Sequence, residues 1–156
     1  MISTTPLTDD LLTQLALLSR DAFAGVVART DAARRMCLDV PAGWNEAALL
    51  FDRPMAAYGL WPLWYGRAEA WMLVSKAASP HIVGRASAAA WRFLERAQRL
   101  APERLHRVEM WVQSDAPWRR SFAAELRMDE EGTALAWGPD GSDYTLYARL
   151  AGDMRA

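Results

Sequence analysis

The stretch Met72-Leu73-Val74-Ser75-Lys76-Ala77-Ala78-Ser79-Pro80-His81-Ile82-Val83-Gly84-Arg85-Ala86 decides how the rest of the chain is read. It passes from an apolar run, through small residues and a proline, into a helix entry where a glycine and an alanine stand two apart. The first turn of a helix carries backbone N–H groups without intrahelical acceptors, at the positive end of the helix dipole. A diphosphate can be held there without a cationic side chain. Gly84 would let a ligand approach the backbone closely, and Ala86 is small enough to leave the helix end open. A glycine before a helix is also an ordinary packing or turn residue, and both readings stand at this point.

Working outward, Glu69 to Ser75 reads as the strand that feeds this segment, and Ala86 to Leu100 as the helix that leaves it. Ala86, Ala90, Phe93, Leu94, Ala97 and Leu100 share one helical face, and Pro102 ends it. Val108, Met110 and Val112 then alternate with Arg107, Glu109, Trp111 and Gln113, the period of a half-buried strand. Pro117 suits a first helical turn, and Trp118 to Leu126 supplies that helix. Two strands follow, Met128–Trp137 and Tyr144–Leu150, joined through Gly138-Pro139-Asp140-Gly141-Ser142, a strong turn signal.

Upstream, Ala47 to Phe51 and Met55 to Leu60 are short apolar runs separated by Asp52-Arg53-Pro54, with Pro62 marking an edge, a bulge or a strand exit. Tyr65-Gly66-Arg67 turns the chain into the strand at 69, giving an antiparallel meander. Residues 6–28 read as one amphipathic helix capped by Thr8, with Leu11, Leu15, Leu18, Ala22 and Val26 at helical spacing, and a shorter helix spans Asp31–Leu38. The strand–helix–strand crossover predicts that strands 69–76 and 107–113 run parallel. The fold class expected is α+β: a mixed, mostly antiparallel twisted sheet with helices on both faces, in a single domain spanning residues 1–156.

Composition narrows the function. The chain has 156 residues, a formal net charge of −1 and 24% charged residues. Such a balance provides no global field for nucleic acid or an anionic membrane. Arg34-Arg35 and Arg119-Arg120 read as solvated helix faces. A single cysteine, Cys37, and two distant histidines, His81 and His106, form no credible zinc set. The N-terminal stretch lacks a signal-peptide pattern and no apolar run reaches the roughly 18 residues of a membrane span, so a cytoplasmic address is expected.

The segment His81-Ile82-Val83-Gly84-Arg85-Ala86 fits the pattern Gln/Arg-x-x-Gly-x-Gly/Ala everywhere but its first position. With the element order, it resembles the phosphate loop of the GNAT superfamily of acyl-CoA-dependent N-acyltransferases. The closing stretch from Met128 to Arg149 is similar to that superfamily's final hairpin, and its Gly138-Pro139-Asp140-Gly141 turn to a branch of phage-encoded acetyltransferase-like proteins. The likeness covers residues 46–150 in order and spacing.

The resemblance implies that the two parallel strands splay at their C-terminal ends. The pantetheine arm of acetyl-CoA, or another acyl-CoA, would pair with the backbone of Met72, Leu73 and Val74. The pyrophosphate would sit on N–H groups from Ile82 through Ala86, with Arg85 in the loop, and His81 is readable either as a cofactor contact or as a plain surface histidine. An amine of a small molecule, peptide or protein would attack the thioester directly. For the general base the candidates are Glu69 and Glu109, each also readable as a solvated strand residue.

Where the superfamily often has Asn after the second parallel strand, Ser114 or Asp115 would substitute. Where it often has a Tyr on the next helix to protonate the thiolate, Ser121-Phe122-Ala123-Ala124-Glu125 has none. Leu126-Arg127-Met128 stands where Leu-Gly-Phe is usual. Trp71 and Trp111 are readable as pocket walls or as core, and at most one of Tyr144 and Tyr147 points inward. Two rival functions remain beside the enzyme: a GNAT-fold binding or assembly protein without catalysis, related to the phage branch, and an interaction domain with no coenzyme A site. Oligomeric state, a homodimer included, is open.

Overall fold

The computed structural model describes residues 1–19, 22–100 and 105–151. Pro102 therefore lies outside the described residues, as do the side chains of Ala22, Leu100 and Trp118. The seven strands form one mixed sheet in the order β1-β2-β3-β4-β5-β7-β6. The expected α+β class is observed. By internal packing the chain divides into two compact units, Met1–Trp61 with Trp71–Ala89, and Pro62–Ala70 with Ala90–Ala156. Strands β3 (Arg53–Trp64) and β4 (Arg67–Val74) and helix α4 (Pro80–Leu100) contribute residues to both.

In the first unit the expected single helix over 6–28 is replaced by three elements: β1 (Ile2–Pro6), α1 (Asp9–Leu18) and α2 (Ala22–Arg29). Strand β1 pairs antiparallel with β2 (Asn45–Leu50), from Ile2 against Leu50 to Pro6 against Glu46. Thr4 and Thr5 suit a strand, and Pro6 is tolerated because β1 is the edge of the sheet. Thr8 caps α1 as expected, its Oγ1 accepting the Leu11 N–H at 3.3 Å. The helix ends at Ser19, whose backbone is extended. That break shifts the buried stripe to Leu12, Leu15 and Ala16, joined by Ala24 and Val27 of α2.

Helix α3 (Asp31–Leu38) closes this core with Ala33 and Cys37, and Arg34 pairs with Asp9 of α1. Burial pushes the Cys37 thiol up to about 12. The turn between β2 and β3 is Phe51-Asp52, both with left-handed φ (48° and 62°), rather than the expected Asp52-Arg53-Pro54. Pro54 lies inside β3, beside a register shift between Ala48 and Leu49 where the ladder is interrupted. Pro62 is likewise internal to β3, beyond the last β2 pair at Gly59.

The core of this unit is anchored on aromatic rings. Trp61 and Trp71 stack with centroids 6.2 Å apart, and Phe23 of α2 meets Trp61 edge-on at 5.8 Å. Trp71 lies flat across Gly59. A Cβ added there would stand 2.8 Å from Trp71 Cζ2 and 2.9 Å from the Trp44 carbonyl oxygen.

In the second unit β5 (Arg107–Gln113) matches the expected strand residue for residue. It pairs antiparallel with β7 (Tyr144–Leu150), from Arg107 against Leu150 to Gln113 against Tyr144. Val108, Met110, Val112, Thr145 and Tyr147 are buried. Helix α5 (Pro117–Glu125) closes with two hydrogen bonds, Arg127 N–H to Ala124 O (2.9 Å) and Met128 N–H to Ala123 O (3.1 Å). This hydrogen-bond pair is the Schellman motif, and Arg127 carries its left-handed φ of 56°.

The last hairpin is shorter than expected on one side: β6 (Asp129–Ala134) stops before Leu135. Ala136 turns left-handed at φ 51°, its N–H donating to Asp143 Oδ1 at 2.8 Å. Asp140 accepts the Ser142 N–H at 3.1 Å within the turn, and these roles account for both aspartates.

Replacing Gly59 with Ala should destabilise the protein by about 1–3 kcal/mol, because both Trp71 and strand backbone would have to move. Thermal denaturation should show a fall in Tm of roughly 2–12 °C.

Candidate active site

The helix that carries Gly84 begins earlier than the sequence reading has it. Helix α4 starts at Pro80, not Ala86. Ser79 is its cap: its Oγ accepts the Ile82 N–H at 3.4 Å and its carbonyl accepts the Val83 N–H at 2.9 Å. Pro80 occupies the first helical position, where a missing N–H costs nothing. Gly84, Arg85 and Ala86 are therefore helical rather than part of a loop. His81, Gly84 and Arg85 are exposed, Ile82 and Val83 half-buried, and Ala86 buried.

Gly84 is the unexpected member of this set. Its backbone is helical, and a Cβ added to it would meet nothing within 4 Å. Neither packing nor conformation demands a glycine there, although glycine costs about 1 kcal/mol relative to alanine inside a helix. Upstream, Met72 and Val74 are half-buried and Leu73 is fully buried in the core of the first unit.

In the second unit β4 and β5 are parallel neighbours, as the crossover predicts, with Arg67 opposite Arg107, Ala68 opposite Val108 and Glu69 opposite Glu109. Residues paired across a sheet, and residues two apart along a strand, point to the same face. The two arginines and two glutamates therefore share one face. Glu109 is not the solvated strand residue its alternation suggests, being only 3% exposed.

Three guanidinium bonds hold Glu109. Arg67 donates Nε to Oε2 (2.9 Å) and Nη2 to Oε1 (2.6 Å), and Arg107 donates Nε to Oε2 (2.8 Å). Arg107 continues the network to both oxygens of Glu131, and Arg67 lies 4.1 Å above the Trp64 ring. With both oxygens engaged, Glu109 is an anchor of the strand pair, and its geometry suits it poorly to taking a proton from a substrate. Glu69 is half-buried beside it. The bond from Arg107 is the main reason that the Glu131 carboxyl titrates below its usual range.

At the far end of β5, Ser114 is fixed by its N–H to the Asp143 carbonyl (2.9 Å). Its Oγ lies 2.8 Å from Thr145 Oγ1, which lies 3.2 Å from Thr133 Oγ1. Asp115 is exposed. Trp111 stacks on Trp137 at 4.8 Å, whereas Trp71 is core. Of the two tyrosines, Tyr147 is the buried one, its hydroxyl donating to Glu130 at 3.2 Å. The Glu109 anchor and the hydroxyl row are the features that sequence reading missed, because both depend on cross-strand register.

Depressed titration of Glu131 fixes the sign of a pH effect. Its contribution is complete above the ordinary carboxylate pKa of about 4.3 and is lost as pH falls through the lowered folded value. Glu131→Gln should cost about 1 kcal/mol or less at pH 7, since the pair is partly exposed. The difference in urea midpoint between wild type and variant should close below about pH 4.

No family model matches the chain, and no curated protein matches it in sequence. Solved structures do resemble it. An acetyltransferase of the GNAT family from Bacillus anthracis superposes with a TM-score of 0.68 at 16% identity, covering 96% of this chain and 94% of that one. A ribosomal L7/L12 alpha-N-protein acetyltransferase in complex with coenzyme A gives 0.73 at 14%, covering 96% and 93%. The ribosomal-protein-S18-alanine N-acetyltransferase from Escherichia coli gives 0.69 at 13%, covering 98% and 97%. Likeness at this level of identity is a statement of architecture. This chain is built on the GNAT, or acyl-CoA N-acyltransferase, fold.

Proposed function

We propose that the protein is an acyl-CoA-dependent N-acyltransferase, with acetyl-CoA as donor and an amine of a small molecule, peptide or protein as acceptor. The observation that carries the reading is the β4–β5 register on this fold. Parallel pairing runs from Arg67–Arg107 to Glu69–Glu109, while β4 continues to Val74 and β5 to Gln113. Beyond Glu69 the described β4–β5 ladder ends, and a pantetheine arm would need such an opening for strand-like pairing, so Met72, Leu73 and Val74 are its assigned contacts.

The start of α4 fits a diphosphate in one testable respect: Gly84 leaves open space on an exposed flank where a side chain would otherwise stand. His81, Ile82, Val83, Gly84, Arg85 and Ala86 are assigned to that end of the ligand. The amide of His81 lies in the first turn, where the helix dipole favours an anion, while that of Ile82 is already capped by Ser79 Oγ. Arg85 adds exposed positive charge.

The bound donor would supply an activated acyl thioester. Glu69 is the assigned base, accepting a proton from the amine as nitrogen attacks. The names of two structural neighbours, which act on ribosomal proteins, support an amine acceptor. No helix among the described residues is long and apolar enough to cross a membrane, and the reading carries with it a cytoplasmic address.

A second reading is favoured by one observation. Residues Ser121–Glu125 of α5 hold no tyrosine to act as an acid, as expected of a coenzyme A-binding or assembly protein without turnover.

Thermal shift with acetyl-CoA and with coenzyme A tests the site. A ligand at 100 times its Kd stabilises by about 2.7 kcal/mol, enough for a clear rise in Tm. Gly84→Val should abolish that rise and leave the fold intact. Gly84→Ala should raise the unliganded stability by about 0.8–1 kcal/mol, while weakening the ligand. Release of free thiol, slowed by Glu69→Gln, selects the enzyme; binding without release selects the second reading. No shift at millimolar ligand removes both.

A further inference from the structure

We propose that the free edge of strand β1 is a self-association surface, on which β1 of a second copy pairs antiparallel about a two-fold axis at Thr4. The inference does not depend on the acyltransferase reading.

The two edges of the sheet are β1 and β6, and they differ in how they are protected. Strand β6 carries Asp129, Glu130 and Glu131, and its ladder shifts register between Glu130 and Gly132. Charge and a bulge are ordinary devices that keep an edge from pairing. Strand β1, Ile2-Ser3-Thr4-Thr5-Pro6, has no charge, and its ladder to β2 runs without a shift. Ser3, Thr4 and Pro6 are exposed, so solvent reaches this edge.

Which backbone groups face outward follows from the neighbouring ladder. The Leu60 N–H donates to the Trp44 carbonyl at 2.8 Å, one step before the Asn45–Gly59 pair. Along an antiparallel strand, successive residues turn their backbone groups to opposite neighbours. Trp44 and Glu46 therefore bond toward β3, and Asn45 and Ala47 toward β1. Ala47 lies opposite Thr5, so Thr5 and Ser3 bond inward, and Ile2, Thr4 and Pro6 present their groups to solvent. Pro6 agrees with this assignment, because its missing N–H falls on the side where no carbonyl of β2 needs a donor.

The strand is complementary to its own reverse. With Thr4 opposite Thr4 of a second copy, Ser3 lies opposite Thr5 and Ile2 opposite Pro6. Hydroxyl then meets hydroxyl, a favourable cross-strand pairing, and apolar meets apolar. The two Thr4 residues exchange a pair of backbone bonds, and each Ile2 N–H donates to a Pro6 carbonyl. A two-fold contact uses the same patch on both copies and closes at a dimer. The guarded β6 edge stops the joined sheet from growing further. An uncharged edge also has nothing with which to select an acidic or a basic partner, whereas it sets no like charges against its own copy. Pairing over five residues falls short of the roughly 1,000 Å² of a tight interface, so dissociation in the micromolar range is expected.

Sedimentation velocity of the untagged chain, from about 1 to 300 µM, reads the association directly. Wild type should pass from monomer to dimer across that range. Thr4→Pro removes an outward N–H that the monomer does not use, and with it both bonds at the axis. It should raise the dissociation constant at least about tenfold, while Thr4→Ser should change it less than about threefold. A second measurement reads the register. Under mild oxidation Thr4→Cys should cross-link, its Cα atoms standing about 5.5 Å apart across the axis. Ser3→Cys should not, because Ser3 faces Thr5 and lies more than about 7 Å from its own counterpart. The native Cys37 is buried and supplies no background. A wild type that stays monomeric throughout, a dimer that Thr4→Pro leaves equally tight, or cross-linking as ready at Ser3 as at Thr4 would each overturn the proposal. Species larger than a dimer would overturn the two-fold closure.

Discussion

Burial of the Glu109 carboxylate is the constraint from which the centre of the second unit follows. A charge taken out of water must be paired and hydrogen-bonded or it costs several kcal/mol. The partners come from two strands: Arg67 from β4 and Arg107 from β5 itself. The observed parallel register places the Arg67 guanidinium beside the carboxylate that Arg107 already holds from within β5, so a slip of one residue would turn Glu109 and Arg107 to the other face and leave Arg67 without its partner. The buried charge thus penalises wrong registers more than it strengthens the right one. That specificity matters because β4 and β5 pair over only the residues from Arg67–Arg107 to Glu69–Glu109.

The first unit uses shape for the same end. Trp71 and Leu73 on β4 enter the core against α1 and α2, and Trp71 is admitted only because Gly59 on β3 carries no side chain. Its indole nitrogen is buried with no hydrogen-bond partner among the described residues. A donor left unpaired costs about 1–3 kcal/mol, so the ring is retained for its area and its stacking on Trp61, against that penalty. Strand β4 is therefore held by packing in its second half and by ions in its first. Both devices fix the backbone between Glu69 and Val74.

How much of this was legible depends on the range of the interactions. The alternation in Arg107–Gln113 located β5 without error, and the apolar face of α4 was correct at Ala86, Ala90, Phe93, Leu94 and Ala97. Local chemistry was present but outweighed in two places. Ser79-Pro80 is a cap and first-turn pair, yet the glycine at 84 drew the helix start forward. Leu11 and Val26 seemed to continue one helix, although the chain breaks at Ser19. Strand β1 has too few apolar residues to announce itself and exists because β2 offers it an edge. Glu109 is separated from Arg67 by 42 positions, and alternation put it on a wet face. The hydroxyl row likewise joins Thr133 and Thr145, paired by the β6–β7 register, to Ser114 in the turn after β5, and none of these contacts is local in sequence.

The same distinction decides which departures from the superfamily pattern weigh against catalysis. Arg127 stands where the pattern has glycine, and the structure gives the physical reason for that glycine: the position is the left-handed residue that closes α5. A non-glycine residue there costs about 1–2 kcal/mol. The Arg127 guanidinium lies 5.4 Å from the Trp91 ring, a contact that offsets about half of the cost. This departure is absorbed by the fold and touches no assigned substrate contact, so it carries no information about turnover.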